Sequence, residues 1–156
     1  MKKRLSLVLV LFIITLCLCG CKEKTKITNC SLVSDQSASG YKLESNYKIY
    51  STNDFVDKVV LKQVINSKDK NVLDSFKTSI TNQYKNNNKL YNGYTFDIKE
   101  KDNKLNINVT IDYTKVDLKK FTQDNVSMKE YVNKDYKITL DKIIKLYESS
   151  GMKCEK

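Results

Sequence analysis

The sequence predicts an α+β fold, an antiparallel sheet of about five strands with two main helices packed on one of its faces. Three observations carry that reading. Apolar and polar residues alternate from Tyr41 to Ile49 and again on both sides of Asp102-Asn103, the period of a strand with one buried face. Apolar residues recur at helical spacing in two other places, from Val72 to Tyr84 and from Leu140 to Tyr147. Residues that favour turns or end helices separate these stretches, as in Asp35-Gln36-Ser37-Ala38-Ser39-Gly40 and Asn86-Asn87-Asn88.

In chain order, Cys30 to Ser34 read as a short strand. In the second, longer strand Tyr41, Leu43, Ser45, Tyr47 and Ile49 share one face, with Lys42, Glu44, Asn46 and Lys48 on the other. A three-residue loop, Thr52-Asn53-Asp54, leads into a third strand, Phe55 to Ile65, in a register that sets Tyr47 opposite Val59 and Glu44 opposite Lys62. Val56, Val60 and Val64 make the second face of that strand apolar too.

Ser67 caps a helix with Asp69 in its first turn. Val72, Leu73, Phe76, Ile80 and Tyr84 form its inner stripe, and the asparagine run ends it. With Asp102-Asn103 as a two-residue turn, Tyr94 faces Ile111, Phe96 faces Val109 and Ile98 faces Ile107. Thr95, Asp97 and Lys99 then pair with Thr110, Asn108 and Asn106 on the solvent side. Val116 to Phe121 make a helical turn, and Ser127-Met128-Lys129-Glu130 has the form of a capping box opening a short helix. Thr139 caps the last helix, Leu140, Ile143, Ile144 and Tyr147 line its inner face, and Gly151 suits the position just past its end.

Ahead of these elements stand a basic start, Lys2-Lys3-Arg4, and an apolar run of 14 residues from Leu5 to Leu18. A bilayer core of about 30 Å needs roughly 20 helical residues, so this run reads as a cleavable export signal and not as a transmembrane anchor. Leu18-Cys19-Gly20-Cys21 follows it and resembles the lipobox of bacterial lipoprotein signal peptides, with an aliphatic residue at −3, small residues before the cut and an obligatory cysteine after it. The resemblance implies cleavage after Gly20 and a diacylglyceryl thioether on Cys21. An ordinary signal peptide cut elsewhere is the alternative. The expected organisation is therefore a signal peptide over 1–20, a polar tether over 21–28 from the lipidated Cys21, and one α+β domain over 29–156. Lysines of the tether either meet anionic headgroups or form a solvated linker.

Removing Lys2, Lys3 and Arg4 from 28 basic side chains leaves 25 against 18 acidic ones, a net charge of +7. The excess is entirely lysine, since Arg4 is the one arginine, and the abundance of Lys, Asn and Ile looks like coding bias. Without arginine for bidentate base or phosphate contacts, and outside the cytoplasm, nucleic acid is not expected as a partner. Cysteine usage is more telling. Cys17 and Cys19 leave with the signal and Cys21 is acylated, so Cys30 and Cys154 remain; in an exported chain they are expected to form one disulfide, the alternative being two buried thiols. No metal or cofactor is expected, because two isolated cysteines without histidine do not complete a zinc shell.

Gly40-Tyr41-Lys42, the helix with its Asn-rich end, Tyr94-Thr95-Phe96 and above all Ile111-Asp112-Tyr113-Thr114-Lys115-Val116-Asp117-Leu118 resemble the YehR-like family of small bacterial lipoproteins, a domain of unknown function. The resemblance runs from about Cys30 to the C-terminus and implies no catalytic residue. The disulfide comes from the cysteine count and not from this resemblance.

The absence of histidine removes imidazole bases and the Ser-His and Cys-His dyads. Asp97, Asp112 and Asp117 remain as possible acids, with solvation or local capping as the plain alternative for each. Among the tyrosines, Tyr47, Tyr84, Tyr94, Tyr113 and Tyr147 fall in core register, which leaves Tyr50, Tyr91, Tyr131 and Tyr136 for a surface. The function expected is that of a lipid-anchored protein on the outer face of the cell membrane. It binds an envelope protein or small ligand through the open sheet face or through residues 114–136, without catalysis. An envelope enzyme using carboxylates, or an inhibitory or structural module acting on an envelope hydrolase, is the rival.

Overall fold

Alternation of apolar and polar residues becomes a six-stranded antiparallel sheet with helices against one face in the computed structural model, which describes residues 24–155. The strands are β1 (Lys26–Gln36), β2 (Tyr41–Thr52), β3 (Phe55–Asn66), β4 (Tyr94–Lys101), β5 (Lys104–Asp112) and β6 (Lys153–Glu155), in the spatial order β4-β5-β3-β2-β1-β6. The helices are α1 (Lys70–Tyr91), α2 (Leu118–Asp124) and α3 (Leu140–Ser149), with short 3-10 turns at Ser37–Ser39 and Val126–Tyr131. The class is as expected, with one strand and one helix more. Cys21 and the export signal lie outside the described residues.

The additional strand, β6, is three residues that pair with Asn29, Cys30 and Ser31. It is too short to show a pattern in the sequence. β1 is also longer than the expected Cys30–Ser34 and starts inside the stretch read as tether. Thr28 is fully buried, so the chain is already part of the sheet there.

β2 and β3 pair in a register two residues from the expected one, Tyr47 with Leu61 and Glu44 with Val64. The turn takes two residues, Asn53 and Asp54, both at positive φ, and a bulge between Tyr50 and Ser51 adds one more step. A two-residue shift preserves side-chain parity, so β3 from Lys58 onward keeps its expected faces. Before the bulge the parity changes, and Val56, expected on the second face with Val60 and Val64, pairs with the buried Ser51 and lies in the core. The β4–β5 hairpin has the expected register throughout, turning on Asp102 (φ 52°) and Asn103 (φ 60°).

The helix boundaries differ for local reasons. Asp69, not Ser67, caps α1 by accepting the Asn71 amide at 2.8 Å, while the buried Ser67 hydroxyl donates to the Gly40 carbonyl at 2.7 Å. α1 runs past the asparagine run to Tyr91, which is buried and not on the surface: its ring packs edge-on against Phe121 at 5.0 Å and its hydroxyl donates to Asp124. Ser127 makes no capping bond, because Asn125 opens a 3-10 turn there by accepting the Met128 amide. Thr139 holds the first position before α3 without a side-chain cap bond, its backbone being committed to a bridge with Phe55.

Two adjoining cores fill the space between sheet and helices. Leu61, Ile65, Leu105, Ile107 and Val109 receive Leu73 of α1, with Phe76, Ile80 and Tyr84 beside them. Ile49, Val56, Val59 and Tyr94 receive Leu140, Ile143 and Ile144 of α3 together with Leu118 of α2.

Candidate functional site

The molecule presents two candidate surfaces, the uncovered face of the sheet and a cleft at the corner where β3, β5 and the loop before α3 meet. On the uncovered face the register aligns Lys153, Ser31, Asn46, Lys62, Asn108 and Asp97 in one row across all six strands. The next row runs Glu155, Asn29, Lys48, Val60, Thr110 and Thr95. Amides, hydroxyls and ammonium groups thus dominate a surface on which Val33 stands 79% exposed. Lys42 pairs with Asp35 and Lys99 with Asp97, whereas Lys48, Lys62 and Lys153 stand outside those pairs around a shallow groove of about 360 Å³. The Lys42 ammonium holds the Asp35 carboxyl down to about 2.

The corner cleft, about 430 Å³, is bounded by Thr52, Phe55, Asp57, Tyr113, Tyr136 and Lys137 among others. Asp57 is its carboxylate, and accepts from the Thr52 hydroxyl at 2.7 Å. Lys137 lies 5.4 Å above the Phe55 ring. Tyr136 sits at φ 57°, and the Asn133 side chain builds its turn by accepting the amides of Asp135 and Lys137 at 2.9 and 2.8 Å.

The segment Ile111 to Leu118 forms one wall of this corner, and its acids have structural work. Asp112 accepts the Thr114 hydroxyl at 2.6 Å and pairs with Lys115 at 2.6 Å, and those bonds hold its carboxyl below the ordinary carboxylate range. Asp117 caps α2 by accepting the Lys120 amide at 2.9 Å. Its own amide donates to the Tyr91 carbonyl, tying the end of α1 to the start of α2. Asp97 lies on the open face with Lys99. The three candidate acids are therefore apart and engaged, and neither the groove on the open face nor the corner cleft brings two carboxylates together. Among the described residues, no group of three His, Cys, Asp or Glu side chains is placed to hold a metal ion.

Of the tyrosines expected at the surface, Tyr136 is exposed, Tyr50 lies half-buried under Lys58 at 4.3 Å, Tyr131 is half-buried, and Tyr91 is in the core. Cys30 and Cys154 lie directly opposite one another in β1 and β6 and are bonded, S–S 2.02 Å. Gly93 escaped the sequence reading. Its carbonyl accepts the Asp112 amide at 2.8 Å, and a helix-ending Asn-Gly pair is the signal that would have marked it.

No family model and no curated protein matches the chain. Solved structures do. The NMR structure of Escherichia coli YehR protein aligns with a TM-score of 0.56 at 21% identity, over 85% of this chain and 92% of that one. The fold is YehR-like. An NMR structure of a protein from Streptococcus pneumoniae TIGR4 aligns with a TM-score of 0.53 at 13% identity, over 86% of this chain and 87% of that one. Similarity at these identities concerns the arrangement of strands and helices. No helix among the described residues is long and apolar enough to cross a membrane.

Proposed function

We propose that this chain is a YehR-like lipoprotein, anchored through Cys21 to the outer face of the cell membrane, that binds an envelope protein or small envelope ligand and does no chemistry on it. The observation that carries the binding role is the uncovered face spanning six strands, lined with Asn, Thr and lysine side chains and bearing Val33. A face of this kind offers hydrogen-bond donors in fixed rows at strand spacing. The lipobox-like Leu18-Cys19-Gly20-Cys21 and the Cys30–Cys154 disulfide support export. Against the rival carboxylate enzyme stands the character of the acids: Asp35, Asp112 and Asp124 are all shifted downward by lysine partners, the wrong direction for a general acid. An inhibitory module acting on an envelope hydrolase would use the same face, and the identity of the partner distinguishes it.

The test is photo-cross-linking on intact cells with a benzophenone amino acid at Val33, compared with the exposed Lys142 of α3. A dominant adduct from position 33 and none from 142 is expected, and a hydrolase in that adduct would assign the inhibitory role. Equal labelling from both positions, or none from 33, would refute binding through the open face. Membrane retention of Cys21→Ala would refute the anchor.

A further inference from the structure

We propose that the domain stands on one end of its sheet, with Ile27, Leu90 and Tyr136 touching the membrane surface. This inference rests on the lipid anchor at Cys21 proposed above. β1 begins at Lys26, so the chain from Cys21 to the sheet spans at most roughly 18 Å when fully extended. The longest strands have 12 residues and are roughly 40 Å long, more than twice that reach. Only the end at which β1 starts is therefore held next to the bilayer.

That end gathers the finish of β2, β5 and α1, the start of β3 and β4, and the turn over 133–137. The opposite end carries the Ser37–Ser39 turn, the start of α1 and the Asp102-Asn103 tip. Exposed large apolar side chains occur at the near end in three separate elements: Ile27 (49% exposed), Leu90 (39%) and Tyr136 (40%). Ile27 lies in β1 while Leu90 ends α1 just before β4, four strand spacings away, or about 19 Å. Apolar points spread that widely around a rim suit a flat surface better than a compact protein ligand.

Tyr136 fits the interface chemically, because a phenol places an apolar ring in the acyl boundary and its hydroxyl among headgroups. Holding a tyrosine at positive φ is unfavourable, and the Asn133 turn that enforces it keeps the ring at the rim of the corner cleft. Lys24, Lys26, Lys134 and Lys137 share this end with Asp54 and Asp135, while Asp57, Asp112 and Asp117 are engaged by Thr52, Lys115 and the start of α2. In this orientation the open face stands sideways and the Asp102-Asn103 tip points away from the bilayer.

The chain contains no tryptophan, so one introduced residue reports without background. The lipidated protein is bound to phosphatidylglycerol–phosphatidylcholine vesicles whose acyl chains are brominated near the headgroup, and tryptophan quenching is compared for Tyr136→Trp, Leu90→Trp and Val33→Trp. Quenching about threefold stronger or more for Tyr136→Trp and Leu90→Trp than for Val33→Trp is expected. Two reporters in separate elements keep the test decisive if one variant misfolds. Equal quenching at Val33 would mean that the open face lies on the membrane. No quenching at any position in vesicle-bound protein would mean that the domain does not touch it. Either result overturns the proposed orientation while leaving the anchor intact, whereas protein that fails to sediment with vesicles overturns the anchor and the orientation together.

Discussion

Gly93 stands at φ +77°, where an added Cβ would lie 2.6 Å from the Val116 side chain and 2.7 Å from the Asp112 carbonyl oxygen. Both neighbours belong to the corner that joins β5 to α2, so neither moves without breaking the bonds from Asp112 to Gly93 and from Asp117 to Tyr91. Gly93→Ala is expected to destabilise the fold by about 1–3 kcal/mol from backbone strain, more if the corner does not yield, as a drop in the urea midpoint at unchanged slope. An unchanged midpoint would mean that the corner adapts freely. Asp112 and Asp117 teach a related lesson. An acid in a distinctive segment invites a catalytic reading, but these two organise a turn and a helix start.

β6 is the element least able to hold itself. Three residue pairs fasten it to β1, and the Cys30–Cys154 bond closes a chain separation of 124 residues. In the chain-entropy model a loop of that length is worth roughly 4–5 kcal/mol. The paired Cys30→Ala, Cys154→Ala variant should therefore lose about 2–5 kcal/mol of unfolding free energy, and alkylation of the native protein should need prior reduction. Labelling of Cys30 without reductant would exclude the bridge. At the same scale, α1 shows tertiary burial overriding local preference: asparagines disfavour helix, but the Tyr91 ring packs against Phe121 and the helix continues three residues past Asn88, whose side chain accepts the Tyr94 amide at 3.1 Å.

At the scale of the whole molecule, the middle of the core is aromatic. Tyr47 and Tyr147 pack at 4.8 Å, Tyr84 reaches both Tyr94 and Phe96, and burial pushes the phenols of Tyr84 and Tyr94 up to about 12 from 10.0, with Tyr47, Tyr113 and Tyr147 shifted upward too. A phenol that titrates higher in the folded chain than in the unfolded one stabilises the fold fully below pH 10 and loses that contribution as pH rises through about 12. Cooperative unfolding between pH 10 and 12, followed by circular dichroism with the phenolate absorbance of the buried tyrosines rising in the same step, is expected; phenolate absorbance reaching its full value for all ten tyrosines well before unfolding would contradict it. By itself the sequence determined the α+β class, the faces of β2, β4 and β5 and of β3 from Lys58 onward, the Asp102-Asn103 hairpin register and the inner stripes of α1 and α3. All of these follow from side-chain period and turn chemistry within a few residues. Tertiary structure decided the β2–β3 register, the length of α1, the burial of Tyr91, the strand at Lys153–Glu155 and the structural employment of Asp112 and Asp117. The end of α1, the burial of Tyr91 and the strand at Lys153–Glu155 depend on partners 30 or more residues away, which no local pattern specifies, while the register turns on a bulge and the two acids on turn and helix-start bonds that their residue type alone does not announce.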